Sequence, residues 1–257
     1  MDNKRYHALD GIRGFALLNM IIYHGIWDLV YIFGFDWRWY QSKGAYIWQQ
    51  CICWTFILLS GFCYSFGKQK LKRGGSILLL GFLISIGTGI AMPESRVRFG
   101  ILTLIGSCML LMILIEQILN KINPVMGVIL SGCLFVLTRN VNEGFLGFGS
   151  WKWIALPDSW YCNLITAYLG FPMPEFYSTD YFSLVPWMFL FVTGYFANEI
   201  FRQKKLLQHL EQHKIRVLEW LGQHSLEIYI VHQPVIYLIF TLFFSIGQRE
   251  LGLNSKK

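Results

Sequence analysis

Charge is what this sequence has least of. Asp, Glu, Lys and Arg make up 14% of its 257 residues, where soluble globular chains carry about 25%. Apolar residues reach 54%, aromatics 17%, and the mean hydropathy is +0.44. A chain this apolar and aromatic excludes intrinsic disorder and coiled coils, and its length, filled by roughly seven helices of about 20 residues plus loops, leaves no room for a separate soluble domain. The six cysteines (Cys51, Cys53, Cys63, Cys108, Cys133, Cys162) contain no C-x-x-C pair and have no histidines at zinc spacing, which excludes a disulfide-rich scaffold and leaves no metal site to expect. Five of them lie in or beside apolar runs and read as packing residues; a bridge from Cys51 or Cys53 to Cys162 stays open. No internal repeat relates the two halves.

What is present is a series of apolar stretches, at roughly 12–34, 46–66, 75–92, 99–119, 123–138, 181–201 and 222–246. Each is near the ~20 residues that cross a ~30 Å hydrocarbon core. The reading is all-α: a polytopic transmembrane helix bundle of about seven spans, forming a single domain over 1–257. The 123–138 run is short and 140–180 is mixed in character, which leaves room for an eighth or re-entrant helix. The first run is too long for a cleavable leader and carries His24 and Asp28.

The net charge of +7 bears on topology and not on nucleic acid. Lys4, Arg5, Arg13, then Lys68, Lys70, Lys72, Arg73, then Lys121, then Arg202, Lys204, Lys205, Lys214 and Arg216 fall on one side, in short loops. Arg38, Lys43, Arg96, Arg98, Arg139, Lys152, Arg249, Lys256 and Lys257 fall on the other, in longer ones. The denser side is the inner one, which places the N-terminus in the cytoplasm and the C-terminus outside. Trp151, Trp153, Trp160 and Tyr161 then read as an outer aromatic belt.

Ionisable groups inside a span cost about 2.5–3.5 kcal/mol each even on lenient scales, so each is a functional candidate. His24 stands ten residues past Gly14 and His232 ten past Gly222, which puts both roughly 15 Å into the bilayer. Asp28 lies one turn beyond His24 on the same helix face. A carboxylate that fixes the tautomer of an imidazole leaves its other nitrogen free to act as a base; the same pair also serves as plain helix glue. At the inner end of that helix, Asp10 and Arg13 are spaced to pair, Asp10 to cap the helix start, and Arg13 to bind a phosphate. In the last run Ser225, Tyr229 and His232 share a stripe ahead of Pro234.

The opening Ala8-Leu9-Asp10-Gly11-Ile12-Arg13-Gly14 with Met20 to His24 resembles the catalytic domain of the heparan-alpha-glucosaminide N-acetyltransferase family and its small bacterial members. Three further motifs resemble that family in the same order. They are Phe99-Gly100-Ile101-Leu102 with Ile105-Gly106, Asp180 to Trp187 with Gly194, and Leu221-Gly222 to Pro234. Arg13, ten intervening residues and His24 also resemble the signature of the wider transmembrane acyltransferases, including the acyltransferase-3 family. In one respect the chain departs from the first pattern: an asparagine stands there at the position of His24, with a histidine further along the first outer loop. Residues 35–46 here hold no histidine, so the role of His24 rests on the acyltransferase-3 spacing.

The resemblance implies a cell-membrane enzyme, in bacteria a plasma-membrane one, that moves an acyl group, acetyl first of all, from cytosolic acyl-CoA to a sugar, glycan or lipid-linked glycan on the outer side. Acyl-CoA is then a co-substrate, with no metal and no nucleic-acid partner, membrane lipids as surroundings, and a homo-oligomer left open. His24 would be the general base, oriented by Asp28, with His232, Tyr229 or Asn19 as donors to the oxyanion. Asp10, Arg13, Lys72 and Arg73 would hold the donor, the inner loops 67–75 and 202–216 each carrying net +4. Asp180, Trp187, Arg98 and Tyr229 would line the acceptor site, with Arg96, Glu94 and Tyr181 beside them, since carbohydrate sites favour aromatics with carboxylates; the same residues also read as interfacial anchors. The competing reading is a small proton-coupled transporter or flippase with His24, Asp28 and His232 as its relay.

Overall fold

A computed structural model describes residues 5–212 and 215–250, with side chains described as far as Ile246. Lys4, Lys214, Lys256 and Lys257, used above for orientation, lie outside the described residues, as does the side chain of Arg249. The chain runs α1 (His7–Tyr31), α2 (Lys43–Tyr64), α3 (Lys70–Ala91), α4 (Ile101–Leu119), α5 (Pro124–Leu137), β1 (Phe145–Phe148), β2 (Trp151–Ala155), α6 (Leu164–Leu169), α7 (Leu184–Gln203), α8 (Arg216–Gln223) and α9 (Ser225–Glu250). This is an all-helical membrane architecture with one antiparallel hairpin. Among the described residues six helices, α2, α3, α4, α5 with its continuation to Glu143, α7 and α9, are long and apolar enough to cross a bilayer. The seventh, α1, has 25 residues; Asn19, His24 and Asp28 dilute its apolar stretch.

Each expected run holds a long helix, and three boundaries differ for physical reasons. Helix α1 begins at His7 and not near residue 12, with Asp10 in its first turn, where a carboxylate suits the positive end of the helix dipole. The last run is broken at His224, which separates the short α8 from α9. Between 140 and 180 no spanning helix forms. The segment makes the β1–β2 hairpin, in which every residue of β2 is exposed, and the six-residue α6, about 9 Å long at 1.5 Å per residue.

Packing divides the chain into two compact units. One holds residues up to Phe56 and those from Leu206 on; the other holds Ile57–Lys205. In the first, α1 packs along α8 and α9. Gly14 and Gly222 allow this approach: a Cβ at Gly14 would lie 1.8 Å from the Leu218 carbonyl oxygen, and one at Gly222 would lie 1.8 Å from that of Asp10. The two helices therefore touch backbone to backbone at two successive points. Above that seat Leu17, Met20 and Ile52 form a core joined by Trp48, Leu221, Ile228 and Tyr229. In the second unit α3 packs on α4 and α5 on α7, around the fully buried Tyr64, Phe191 and Tyr195.

Candidate functional site

The first unit brings its two intramembrane histidines, both half-buried, together. The rings of His24 on α1 and His232 on α9 have centroids 5.1 Å apart, inclined at 61°, as equal depth on adjacent helices requires. His232 Nδ1 lies 2.5 Å from the Tyr229 carbonyl oxygen. A carbonyl only accepts, so Nδ1 carries the hydrogen and Nε2 is left with its lone pair. That Nε2 is buried and has no hydrogen-bond partner. The Tyr229 ring stands 5.3 Å from the His232 ring.

Asp28 is fully buried, and its partner is not the one expected. Gln233 Nε2 on α9 donates to Asp28 Oδ1 at 2.6 Å, and no hydrogen bond joins Asp28 to His24. The i, i+4 spacing puts the two on one face, but the carboxylate takes the amide donor that the facing helix presents. Asp28 Oδ2 and Gln233 Oε1 have no partners. With His232 Nε2 this makes three buried, unpartnered atoms in one stretch of α1 and α9, all of them acceptors. Gln233 was missed by the sequence reading, although it was visible as a lone amide in an apolar run. Asn19 is engaged on both sides of its amide: its Oδ1 accepts from Trp48 Nε1 at 3.0 Å and its Nδ2 donates to the Phe15 carbonyl at 2.9 Å, which leaves one of its two N–H donors for another acceptor.

At the start of α1, Asp10 does not cap the helix. Its two oxygens accept from Arg5 Nε at 2.9 Å and Arg13 Nη1 at 3.1 Å. Nearby, His7 Nδ1 lies 3.3 Å from Glu219 Oε2 of α8. Lys72 and Arg73 belong to the other unit, in the exposed first turn of α3. Two cations of the basic loops are already paired there. Lys70 bonds both oxygens of Glu116 at 2.7 Å over the Tyr64 ring, and Arg202 pairs with Glu199.

In the second unit, two of the motifs separated by some eighty positions are stitched together. The Arg98 backbone N–H donates to Ser178 Oγ at 2.8 Å, and Phe182 N–H to the Phe99 carbonyl at 2.8 Å. Ile101 N–H at the start of α4 donates to Asp180 Oδ2 at 3.3 Å. The crossing is tight: Phe99 is held at φ +54°, and a Cβ at Gly100 would lie 2.8 Å from Asp180 Oδ2. Burial, only partly offset by the Ile101 N–H, pushes the Asp180 carboxyl up to about 6. Trp187, grouped with the acceptor residues by sequence, is 4% exposed and packed against Phe135 and Phe182, with the Arg139 guanidinium 4.9 Å from its ring centre; this indole near the start of α7 serves as core material. All six cysteines are free thiols, Cys63 and Cys108 buried and Cys51, Cys133 and Cys162 exposed.

A family model described as heparan-alpha-glucosaminide N-acetyltransferase, catalytic, matches residues 5–234. No curated protein and no solved structure gives a match. The matched stretch opens on Arg5, which pairs with Asp10, and closes on Pro234, just past His232 and Gln233, so it spans both halves of the histidine pair. The chain belongs to the family of heparan-alpha-glucosaminide N-acetyltransferase catalytic domains, transmembrane acetyltransferases.

Proposed function

We propose that this protein, with its N-terminus in the cytosol, transfers an acyl group, acetyl in the first instance, from cytosolic acyl-CoA to a sugar, glycan or lipid-linked glycan on the outer side of the cell membrane. The observation that carries the reading is the His24–His232 pair: two imidazoles face each other within apolar helices, and one has its free nitrogen set for accepting a proton. Acyl transfer needs such a base. His232 Nε2 takes the proton from the acceptor hydroxyl or amine as its oxygen or nitrogen attacks the thioester carbonyl. The new C–O or C–N bond forms, the C–S bond breaks, and the CoA thiolate recovers the proton. His24, whose ring centre lies 5.1 Å from that of His232, would share this duty. The three unpartnered acceptors suit the O–H or N–H groups of an incoming acceptor.

Asp28 supports the site through Gln233, by holding α9 against α1, and not through His24. Arg13, clamped by Asp10, would meet a phosphate of the donor. Arg98 and Asp180 belong to the acceptor side.

The test is transfer of radiolabelled acetyl-CoA by purified protein in proteoliposomes, against a panel of amino sugars and membrane glycans, for wild type, His24→Ala and His232→Ala. Label that reaches an acceptor in the wild type and is lost in both variants supports the reading. Solute or proton flux that continues without acyl-CoA and stops in the same variants would replace it with the proton-coupled transporter.

A further inference from the structure

Two cations in the second unit stand apart from the rest. Arg96 and Arg98, in the loop between α3 and α4, are both partly buried, yet neither has an acidic partner within ion-pair distance among the described residues. Arg96 Nε is fully buried with no hydrogen-bond partner. Other unpaired cations, such as Lys43, Lys72 and Lys121, are exposed and solvated. A guanidinium taken out of water without an anion is unfavourable, and its fork matches the paired oxygens of a phosphate.

The backbone that carries the two arginines is fixed. Arg96 is extended, its carbonyl accepts from Thr179 N–H at 3.2 Å, and Arg98 is held at both N–H and carbonyl by Ser178 Oγ. Their Cα atoms, two residues apart in sequence, are at most about 7 Å apart, a span that one phosphate group bridges. The nearby carboxylate, Asp180, turns its Oδ2 to Ile101 N–H, and Glu94 is exposed. Neither quenches the pair.

We propose that Arg96 and Arg98 form a binding site for a phosphate monoester or diester at the outer edge of the bilayer. Its assignment to the acceptor, as the phosphate of a lipid-linked sugar, rests on the acyl-transfer reading; the same chemistry is offered by a phospholipid headgroup. The full chain in detergent is offered matched probes, polyprenyl phosphate against polyprenol and phosphatidic acid against diacylglycerol, and retention is read by native mass spectrometry for wild type, R96Q/R98Q and R96K/R98K.

The expected result is a preference of about tenfold or more for the phosphate member of a pair, abolished in R96Q/R98Q and weakened in R96K/R98K, which keeps charge and loses the fork. Preference confined to polyprenyl phosphate assigns the site to the substrate, and preference confined to phosphatidic acid assigns it to the lipid headgroup. Equal retention of both members by the wild type, or a preference undiminished in both variants, overturns the proposal. Should R96Q/R98Q fail to elute as a folded protein, R96K/R98K decides alone. Because no acyl-CoA is present, absence of acetyl transfer beside an intact phosphate preference would remove the proposed activity and leave this site standing. Transfer without a phosphate preference would do the reverse.

Discussion

Gln233 and Asp28 are joined by a 2.6 Å hydrogen bond that ties α9 to α1 at the level of the histidine pair. The carboxylate is fully buried, and its second oxygen has no partner. Removing the donor by Gln233→Leu leaves a buried charge without compensation, and the expected loss is about 1–3 kcal/mol of stability or more. Thermal unfolding in detergent checks it. The double variant Gln233→Leu/Asp28→Leu should recover most of that loss, since both polar partners are then absent together; a double variant no more stable than Gln233→Leu would show that the bond is not what stabilises this crossing.

His232→Gln keeps an amide of similar reach but no titratable nitrogen. For a general base the expected loss is about 10²–10⁴-fold in the acyl-transfer rate, with little change in binding of acetyl-CoA. Transfer rates over a range of acceptor concentrations make the check, and a variant that loses only apparent acceptor affinity would reassign His232 to binding.

Gly222→Ala should disrupt the first unit more than its size suggests. The added methyl would meet the Asp10 carbonyl oxygen at 1.8 Å, a backbone atom that cannot step aside by changing rotamer. Overpacking of this kind costs about 1–3 kcal/mol, and Gly14→Ala, against the Leu218 carbonyl, should cost a similar amount. Gly75→Ala, where nothing lies within 4 Å, is the control. Yield and melting temperature of the three variants test this.

Asp180 carries the pH prediction. Its folded-state value is raised to about 6 from an ordinary 3.8 by burial. A raised value means that the folded chain favours the neutral acid. The stability this contributes is fully present below about pH 3.8 and is lost as the pH rises through about 6. Asp180→Asn keeps an acceptor for Ile101 N–H and removes the titration, so its melting temperature should fall less than that of wild type between pH 4 and 7. Parallel curves would show that Asp180 does not titrate in that range.

The helices were legible because hydropathy and length decide them: each apolar run contains a helix, and the midplane arithmetic that placed His24 and His232 at one depth is matched by rings that face each other. Partners across helices were less legible. The i, i+4 rule pointed Asp28 at His24, but a spacing rule sees only one helix, and the donor that reached Asp28 came from a position 205 residues away. Trp187 was ambiguous in sequence because an indole suits both an acceptor site and a core, and its 4% exposure is visible only in the fold. The β1–β2 hairpin was hidden since its aromatics read equally well as an interfacial belt. The close approach at Gly14 and Gly222 left no pattern of charge or period to follow.

That close approach has a mechanical consequence. A helix whose main chain rests directly on that of another at successive turns cannot slide or roll without clashing, so α8 and the inner half of α1 must travel as one body. The chain breaks at His224, immediately after that seat. Past the break, α9 is held first by Ile228 and Tyr229 against the Leu17–Met20–Ile52 core and then by the Gln233–Asp28 bond. His232 therefore sits between an apolar restraint and a polar one, on a helix whose backbone is interrupted about one and a half turns before the first of them is complete.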